Sequence, residues 1–301
     1  MKNIFKILGT DGYPDEGKDY GDCFLIIKDD QAVVYDCGSE EHAKEVIRIL
    51  DEYGIEKAMC ILSHNDDDHF WGIDYLVEAD KVVSVHTMLL LKYKHEIYKA
   101  INDKRLIDST IVDRILAAYD NIASLRGKGV LKDIYADVSE LPDFISFIGP
   151  SKDYMIEAVA KDIDNRKGNT LDSETIHNAL SIIISVDFGN EKILLTGDVS
   201  PKSIINFADL SEYSYIQLPH HGKPESAEDI WDAVEDVVPN PNGIIYLISD
   251  NKGNSSGGSE GLNCKGRQVW NTRTKGTIDI HYESTDAPTK STTYSGKTLG
   301  I

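Results

Sequence analysis

The segment Ile61–Gly72 reads ILSHNDDDHFWG and packs two histidines and three aspartates into six residues, from His64 to His69. Adjacent like charges repel, so a solvated surface turn gains nothing from Asp66, Asp67 and Asp68 in a row. A divalent cation removes the repulsion. On a loop leaving a strand, alternate residues point the same way, so His64 and Asp66 can reach one site. Asp68 and His69 begin the next element and can face a second site, while Asp67 is the spacer between ligands. Imidazole and carboxylate at this spacing suit Zn²⁺, Mn²⁺ or Fe²⁺. The plain alternative is an acidic helix N-terminus, where aspartate is favoured by the helix dipole. That accounts for one or two aspartates and for neither histidine.

Two further clusters carry the same residue types. In LLTGDVS an apolar run ends in Gly197–Asp198, and in IQLPHHGKPES another ends in His220–His221. Alone, the first is an ordinary turn and the second a modest signal. Together they gain force, because all three clusters follow predicted strands and can converge on one edge of a sheet. Asp198 could then bridge two ions, and one histidine of the pair could complete a shell, neutral imidazole being a good ligand near pH 7. His86, His95 and His281 stand alone and are expected at the surface or in the core, and Trp71 is expected as a core anchor.

The elements that must position these residues alternate strand and helix. DCFLIIKDD and QAVVYDCG form a hairpin turning between Lys28 and Gln31. SEEHAKEVIRILDEYG is a helix capped by Ser39 and stopped by Gly54, and KAMCILS is a buried strand. The opening motif thus lies just beyond the C-terminal end of a strand, where α/β sheets place their ligands. FWGIDYLVEAD starts a helix, and KVVSVH is a strand. Residues 88–126 read as a helical insertion, either covering a pocket or serving as scaffold. ALSIIISVDFG and EKILLTGDVS make a second hairpin turning at Gly189–Asn190. A helix from about 201 to 210, the strand YSYIQLP, a helix from about 224 to 234 and the strand GIIYLIS follow. The Gly/Ser/Asn-rich stretch 250–263 reads as a flexible loop, CKGRQVWNTR as a short helix, GTIDIHY as a strand, and the tail from Glu283 as polar and frayed. The pattern predicts one α/β domain over 1–301, a sandwich with two sheets inside and helices outside.

Composition bounds the function. The 301 residues hold 51 Asp plus Glu against 31 Lys plus Arg, a net charge of −20. That sign argues against tight binding to long duplex nucleic acid or anionic lipid, and an anionic substrate needs a local positive centre, such as a metal cluster. Cys23, Cys37, Cys60 and Cys264 lack chelating spacing and read as free thiols of a reducing compartment. The N-terminus is too polar for a signal peptide and no apolar run approaches bilayer length, so a cytoplasmic protein without membrane contact is expected.

SHNDDDHFWG resembles the HxHxDH signature of the metallo-β-lactamase fold in an HxDxDH variant, and the rest follows that family's order. YGDCFLIIKDDQAVVYDCGS resembles its opening hairpin, HNALSIIISVDFGNEKILLTGDVS its Asn-Ser-Leu strand and Gly-Asp motif, YIQLPHHGK its His-His-Gly motif, and TKGTIDI its late strand. The likeness spans about residues 18–282 and is greatest to the ComEC-like and phosphorylcholine-esterase-like subgroup. It implies the αββα sandwich of that fold and two divalent ions, Zn²⁺ or Mn²⁺. By resemblance, His64 and Asp66 bind one ion, Asp68 and His69 the other, and Asp198 bridges them. His221 completes the second shell, while His220 sits beside it on the substrate or leaving group. Asn178, its neighbour His177 and Lys223 are second-shell or substrate candidates. One departure is clear: after GIIYLIS the subgroup commonly carries a His-Pro, and this chain has neither. Asn263 and Cys264 stand in, or the site is more open there. Lys265 and Arg267 could meet a phosphate.

The function expected is a binuclear metal-dependent hydrolase using a metal-bridged hydroxide, first of all a phosphodiesterase. It would be nuclease-like or act on a nucleotide or other small phosphodiester, with short single-stranded nucleic acid as a compatible substrate. Asp68 or Asp198 would orient the nucleophile, and His220 would protonate the leaving group. The alternatives are hydrolysis of a carboxylic ester, lactone or thioester, since fold alone does not choose, and a non-catalytic regulatory module or effector subunit with a partner protein or as a homodimer. An apolar slot at the site would favour the lactone reading.

Overall fold

The computed structural model describes residues 2–15, 17–102, 108–117, 121–165, 174–283 and 291–294. Among the described residues, fourteen strands form two sheets: β1 (Lys2–Ile7), β2 (Cys23–Lys28), β3 (Gln31–Cys37), β4 (Ala58–Ile61), β5 (Val82–Thr87), β6 (Leu131–Asp133), β7 (Ile145–Gly149), β8 (Ile183–Asp187), β9 (Lys192–Leu195), β10 (Tyr215–Gln217), β11 (Ile245–Ile248), β12 (Gln268–Asn271), β13 (Ile278–Glu283) and β14 (Ser291–Tyr294). The order is β14-β13-β1-β2-β3-β4-β5-β6 in one sheet and β12-β11-β10-β9-β8-β7 in the other. Both are mixed. β3, β4, β5 and β6 run parallel in the first, and β9 to β12 run parallel in the second.

Strand alternation explains the layers. In the second sheet Ile184, Ile193, Leu195, Tyr215 and Leu247 join a large core with Phe5, Phe24, Val34 and Ile61 of the first sheet. Their neighbours Ile183, Leu194, Ile216, Tyr246 and Ile248 point the other way, onto Ala227, Ile230, Trp231 and Val234 of the helix Pro224–Val237. Period-two side chains thus feed two cores from one sheet, which fixes its register. The result is the expected α/β sandwich of two sheets flanked by helices.

The hairpins form where expected. β2 and β3 turn at Asp29–Asp30, with φ of 51° and 64°, the primed turn that matches strand twist. Helix α1 (Glu40–Tyr53) begins with the Ser39 side chain accepting from His42 N and ends at Gly54 in the left-handed region. Helix α2 (Asp67–Glu78) follows β4 directly after the aspartate-rich loop.

Other expectations need correction. The helical character expected over 88–126 is carried by the short pieces Leu90–Tyr93, Lys94–Ala100, Asp108–Ala117 and Asn121–Leu125, and residues 103–107 and 118–120 lie outside the described residues. CKGRQVWNTR contributes strand β12 before a single helical turn, because Val269 and Trp270 pair in parallel with β11. Strands β1, β6 and β7 and the helix Lys152–Asn165 have no counterpart in the sequence-based assignment. The loop 250–263 is pinned at its start, where the buried Asp250 carboxylate accepts from Ser259 N at 3.0 Å and Asn251 Nδ2 donates to Leu8 O and Gly21 O, each at 2.9 Å. The tail after Glu283 falls outside the described residues apart from β14. No helix among the described residues is long and apolar enough to cross a membrane.

Candidate metal centre

Loops leaving β3, β4, β9, β10 and β11 meet at one edge, and they carry the chemistry-bearing side chains. The two sheets are stitched there: Tyr35 Oη donates to Ile182 O at 2.6 Å, and Ile182 N to Ser63 O at 2.9 Å. Ser181 Oγ lies 3.2 Å from His64 Nδ1 and accepts from Asp198 N at 3.2 Å.

His64, His69 and His221 are each engaged at Nδ1, which leaves Nε2 to face the site. His69 Nδ1 is 2.8 Å from Asp36 Oδ2, and Asp36 also accepts from Ser63 N at 2.7 Å and Ser63 Oγ at 2.6 Å. His221 Nδ1 is 2.9 Å from Asp22 Oδ1 and 3.1 Å from Ser249 O. His64 Nδ1 faces Ser63 Oγ at 2.9 Å. Such outer partners set ring orientation and tautomer and raise the basicity of the free nitrogen.

The free nitrogens converge. His64, His69 and Asp198 form one group, and Asp68, His69 and His221 another, with the offered atoms of each group within 4.8 Å of one another. Asp198 Oδ2 lies 3.8 Å from His69 Nε2, 3.6 Å from His221 Nε2 and 3.5 Å from His220 Nδ1. Asp68 Oδ2 is 3.3 Å from His221 Nε2, and Asp66 Oδ2 is 3.6 Å from His64 Nε2. His177 Nδ1 contacts Asp66 Oδ1 at 3.0 Å. Among the described residues, His64 Nε2 and His69 Nε2 are buried with no hydrogen-bond partner. Two buried, unpartnered ring nitrogens beside a buried carboxylate are costly unless a cation completes them, so this donor set fits divalent metal.

Electrostatics point the same way. Burial alone would raise the Asp68 carboxyl, but His69, His221 and Lys252 hold it well below the usual carboxylate range. Asp198 is held down likewise by His221, His220 and His69, and Asp66 by His177 and His64. Burial would lower His69, yet Asp36 and Asp68 push it up to about 10. His220, between Asp198 and Glu174, is pushed up to about 9, and His221 is raised well above its ordinary value by Asp22 and Asp198. Clustered carboxylates therefore demand positive charge here, and metal uptake would displace these protons.

The backbone is specialised to match. His220, His221 and Gly222 have φ of 54°, 53° and 81°, three left-handed residues in succession. For the histidines this costs on the order of 1–2 kcal/mol each, and it is held by His220 N donating to Asp198 Oδ1 at 3.2 Å. Gly21 and Gly38 press against the Asp68 carbonyl: a Cβ on either would lie 1.8 or 2.1 Å from that oxygen.

The structure thus brings together His64, Asp66, Asp68, His69, Asp198, His220 and His221, with His177 beside Asp66. The Asp67 side chain turns away, to Asn121 Nδ2 at 2.8 Å. That asparagine also donates to Asn65 O at 3.0 Å, so the segment Asn121–Leu125 packs directly on the loop 64–69. Asn178 Oδ1 is buried without a hydrogen-bond partner, and Lys223 is exposed. Lys265 and Arg267 are engaged elsewhere, with Glu228 and Glu235 of the helix Pro224–Val237. Asn263 Oδ1 accepts from Lys265 N at 3.1 Å, and Cys264 lines a separate pocket. Lys252 reaches the site, with Nζ 2.7 Å from Asp68 Oδ2 and 2.8 Å from Asp19 Oδ2. Trp71 is not a core anchor: it is 52% exposed and lines a cavity of roughly 630 Å³ that opens beside Asp68.

Sequence reasoning missed the roles of Asp22, Asp36, Glu174 and Lys252. Asp22 and Asp36 did leave a signal, as lone carboxylates bordering apolar strand runs. Trp71 left one too, since it shares the i, i+3, i+4, i+7 face of α2 with Asp74, Tyr75 and Glu78.

A family model described as the metallo-beta-lactamase superfamily matches residues 17–249, and the chain belongs to that superfamily. No curated protein matches. Among solved structures, a novel metallo hydrolase from the archaeon Ignicoccus hospitalis, Igni18, is 13% identical with a TM-score of 0.46, covering 93% of this chain and 100% of its own. A diphosphatase from the PhnP family is 12% identical with a TM-score of 0.44, covering 93% of this chain and 98% of its own. The long form of RNase Z from yeast is 9% identical with a TM-score of 0.43, covering 99% of this chain and 50% of its own.

Proposed function

We propose that this member of the metallo-β-lactamase superfamily, a metal-dependent hydrolase, is a binuclear phosphodiesterase of small substrates. The observation that carries the reading is the convergence of His64 Nε2 and His69 Nε2, both buried without hydrogen-bond partners, with His221 Nε2 around Asp198. His64 and Asp66 would hold one divalent ion, Zn²⁺ or Mn²⁺, and Asp68, His69 and His221 a second, with Asp198 between them; such ions would supply Lewis acidity toward water and phosphoryl oxygens. Asp36 and Asp22 keep His69 and His221 facing inward through their Nδ1 atoms. His177 orients Asp66. His220, adjacent to Asp198 and 3.0 Å from Glu174 through Nε2, gives a proton to the departing oxygen. Asp68 and Asp198 orient the attacking water. Placement in the ComEC-like subgroup, with its HxDxDH variant, belongs to the same proposal and rests on the motif order of the chain.

The cavity beside Asp68 is not the apolar slot that would favour lactone chemistry: its lining includes lysines 18 and 252 among six carboxylates. The test is hydrolysis by the purified protein, supplied with Mn²⁺ or Zn²⁺, of bis-p-nitrophenyl phosphate, single-stranded DNA, RNA, p-nitrophenyl acetate and a lactone panel. Phosphodiester turnover abolished in Asp68→Ala and His69→Ala is expected. Turnover of esters or lactones alone, or none that depends on these residues, would overturn the reading.

A further inference from the structure

Lys252 stands where the metal cluster and the cavity join. Its Nζ bonds Asp68 on the cluster side and Asp19 on the other, and its side chain is 15% exposed, at the cavity wall. An ammonium has three N–H donors, and Asp68 and Asp19 are its two partners among the described residues. It also does not repeat the job of Asp36 or Asp22, because it holds a carboxylate, not an imidazole. The other lysine of the wall, Lys18, is half exposed and pairs loosely with Glu41 at 3.4 Å.

The remaining wall selects against polymers. Among the described residues, Asp74 and Glu78 reach no cation closer than Lys128 at 3.5 and 3.7 Å, so a polyanion tracking along α2 meets repulsion. Beside them Trp71 and Tyr75 offer aromatic surface. The cavity thus presents one held cation next to the reacting centre and a ring platform further out.

We propose that Lys252 is the anion-binding residue of this site, taking an unesterified oxygen of a small monoanionic phosphodiester whose apolar or aromatic substituent covers Trp71. This rests on the phosphodiesterase reading for its reaction, though not for its binding step. In that role Lys252 is a specificity residue. It favours anionic esters over neutral ones and small diesters over long nucleic acid.

The test is isothermal titration of inorganic phosphate into wild type, Lys252→Met, Lys252→Arg and Asp19→Asn, each with and without Mn²⁺. Metal content is measured in parallel, with KM and kcat on bis-p-nitrophenyl phosphate and p-nitrophenyl acetate. Losing one charged hydrogen bond predicts phosphate binding weaker by about 10- to 100-fold in Lys252→Met, with metal content unchanged. Lys252→Arg restores most of it. Asp19→Asn removes the structural partner and keeps the cation, so its phosphate affinity stays within about 2-fold of wild type. The loss appears in KM for the diester and is larger there than for the neutral ester. Equal phosphate affinity in wild type and Lys252→Met, or equal losses in Lys252→Met and Asp19→Asn, would show that Lys252 only ties Asp19 to Asp68. If wild type cleaves no phosphodiester while phosphate binding still depends on Lys252, the functional reading fails and this one stands.

Discussion

The metal cluster and the cavity beside it are neighbours built on opposite terms. In the cluster His64, His69 and His221 are almost wholly buried, and each has one nitrogen fixed by a buried partner. In the cavity wall Trp71 is half exposed, and Glu40 and Glu78 pair with long surface lysines, Lys44 at 2.7 Å and Lys128 at 3.7 Å. Buried, fixed groups keep a ligand geometry without reorganisation, which metal binding requires. Exposed side chains on a helix face are free to adapt, which suits recognition of a substituent. Damage to the two regions should therefore have different signatures: metal loss and instability from the cluster and its supports, altered KM from the wall.

The largest expected effect is acid lability at the support between the regions. His42, in the first turn of α1 behind the wall, is buried against Tyr13 and Tyr20, and burial pushes it down from 6.5 to about 4. The unfolded chain then binds more protons than the folded one between these values, so stability falls as pH drops through that window. The loss is on the order of 3 kcal/mol. Denaturant titrations of wild type and His42→Leu at pH 7 and pH 4.5 check this: the difference between them should shrink or reverse at the lower pH. A pH-independent difference would contradict it.

Next comes Asp36→Asn, which removes the charge behind His69 while keeping its size. Metal affinity should fall by about 10- to 100-fold, as read by competition with a chelating dye. Trp71→Ala should leave metal content unchanged and stability within about 0.5 kcal/mol. Its effect should be a rise of about 2- to 10-fold in KM for aryl diesters, from lost ring contact. Metal loss in Trp71→Ala would erase the distinction between the regions. The smallest effect is predicted for Asp67→Ala, whose carboxylate faces Asn121. Activity and metal content should hold, and a loss comparable to Asp68→Ala would break the alternation on which the ligand assignment rests.

The same contrast governs what could be read from sequence. The candidate ligand loop was legible because histidines and aspartates crowd into His64–His69, a density that solvation does not explain. The strands carrying Asp198 and the His220–His221 pair were legible because each is an apolar run ended by a polar break. The supports were not. Asp22 and Asp36 are single carboxylates whose burial arises only when the sheets meet. Lys252 sits in a Gly/Ser/Asn-rich stretch whose composition suggests mobility, whereas Asp250 and Asn251 anchor it through contacts with Ser259, Leu8 and Gly21. β12 was misread as helix because four residues show too little periodicity, and parallel pairing with β11 decides its state. Trp71 was misplaced by its size, though its helical phase set it on the polar face of α2.

The central claim is that Asp198, from the second sheet, is shared by two ions whose remaining ligands come largely from the loop 64–69 of the first. Metal content by inductively coupled plasma mass spectrometry, after dialysis against Mn²⁺ or Zn²⁺ and removal of free ion, tests it directly. Wild type should hold about two ions per chain and Asp198→Ala about one or fewer, with both proteins folded by circular dichroism. A wild-type protein that retains no ion, or an Asp198→Ala protein that retains as many as wild type, would contradict it.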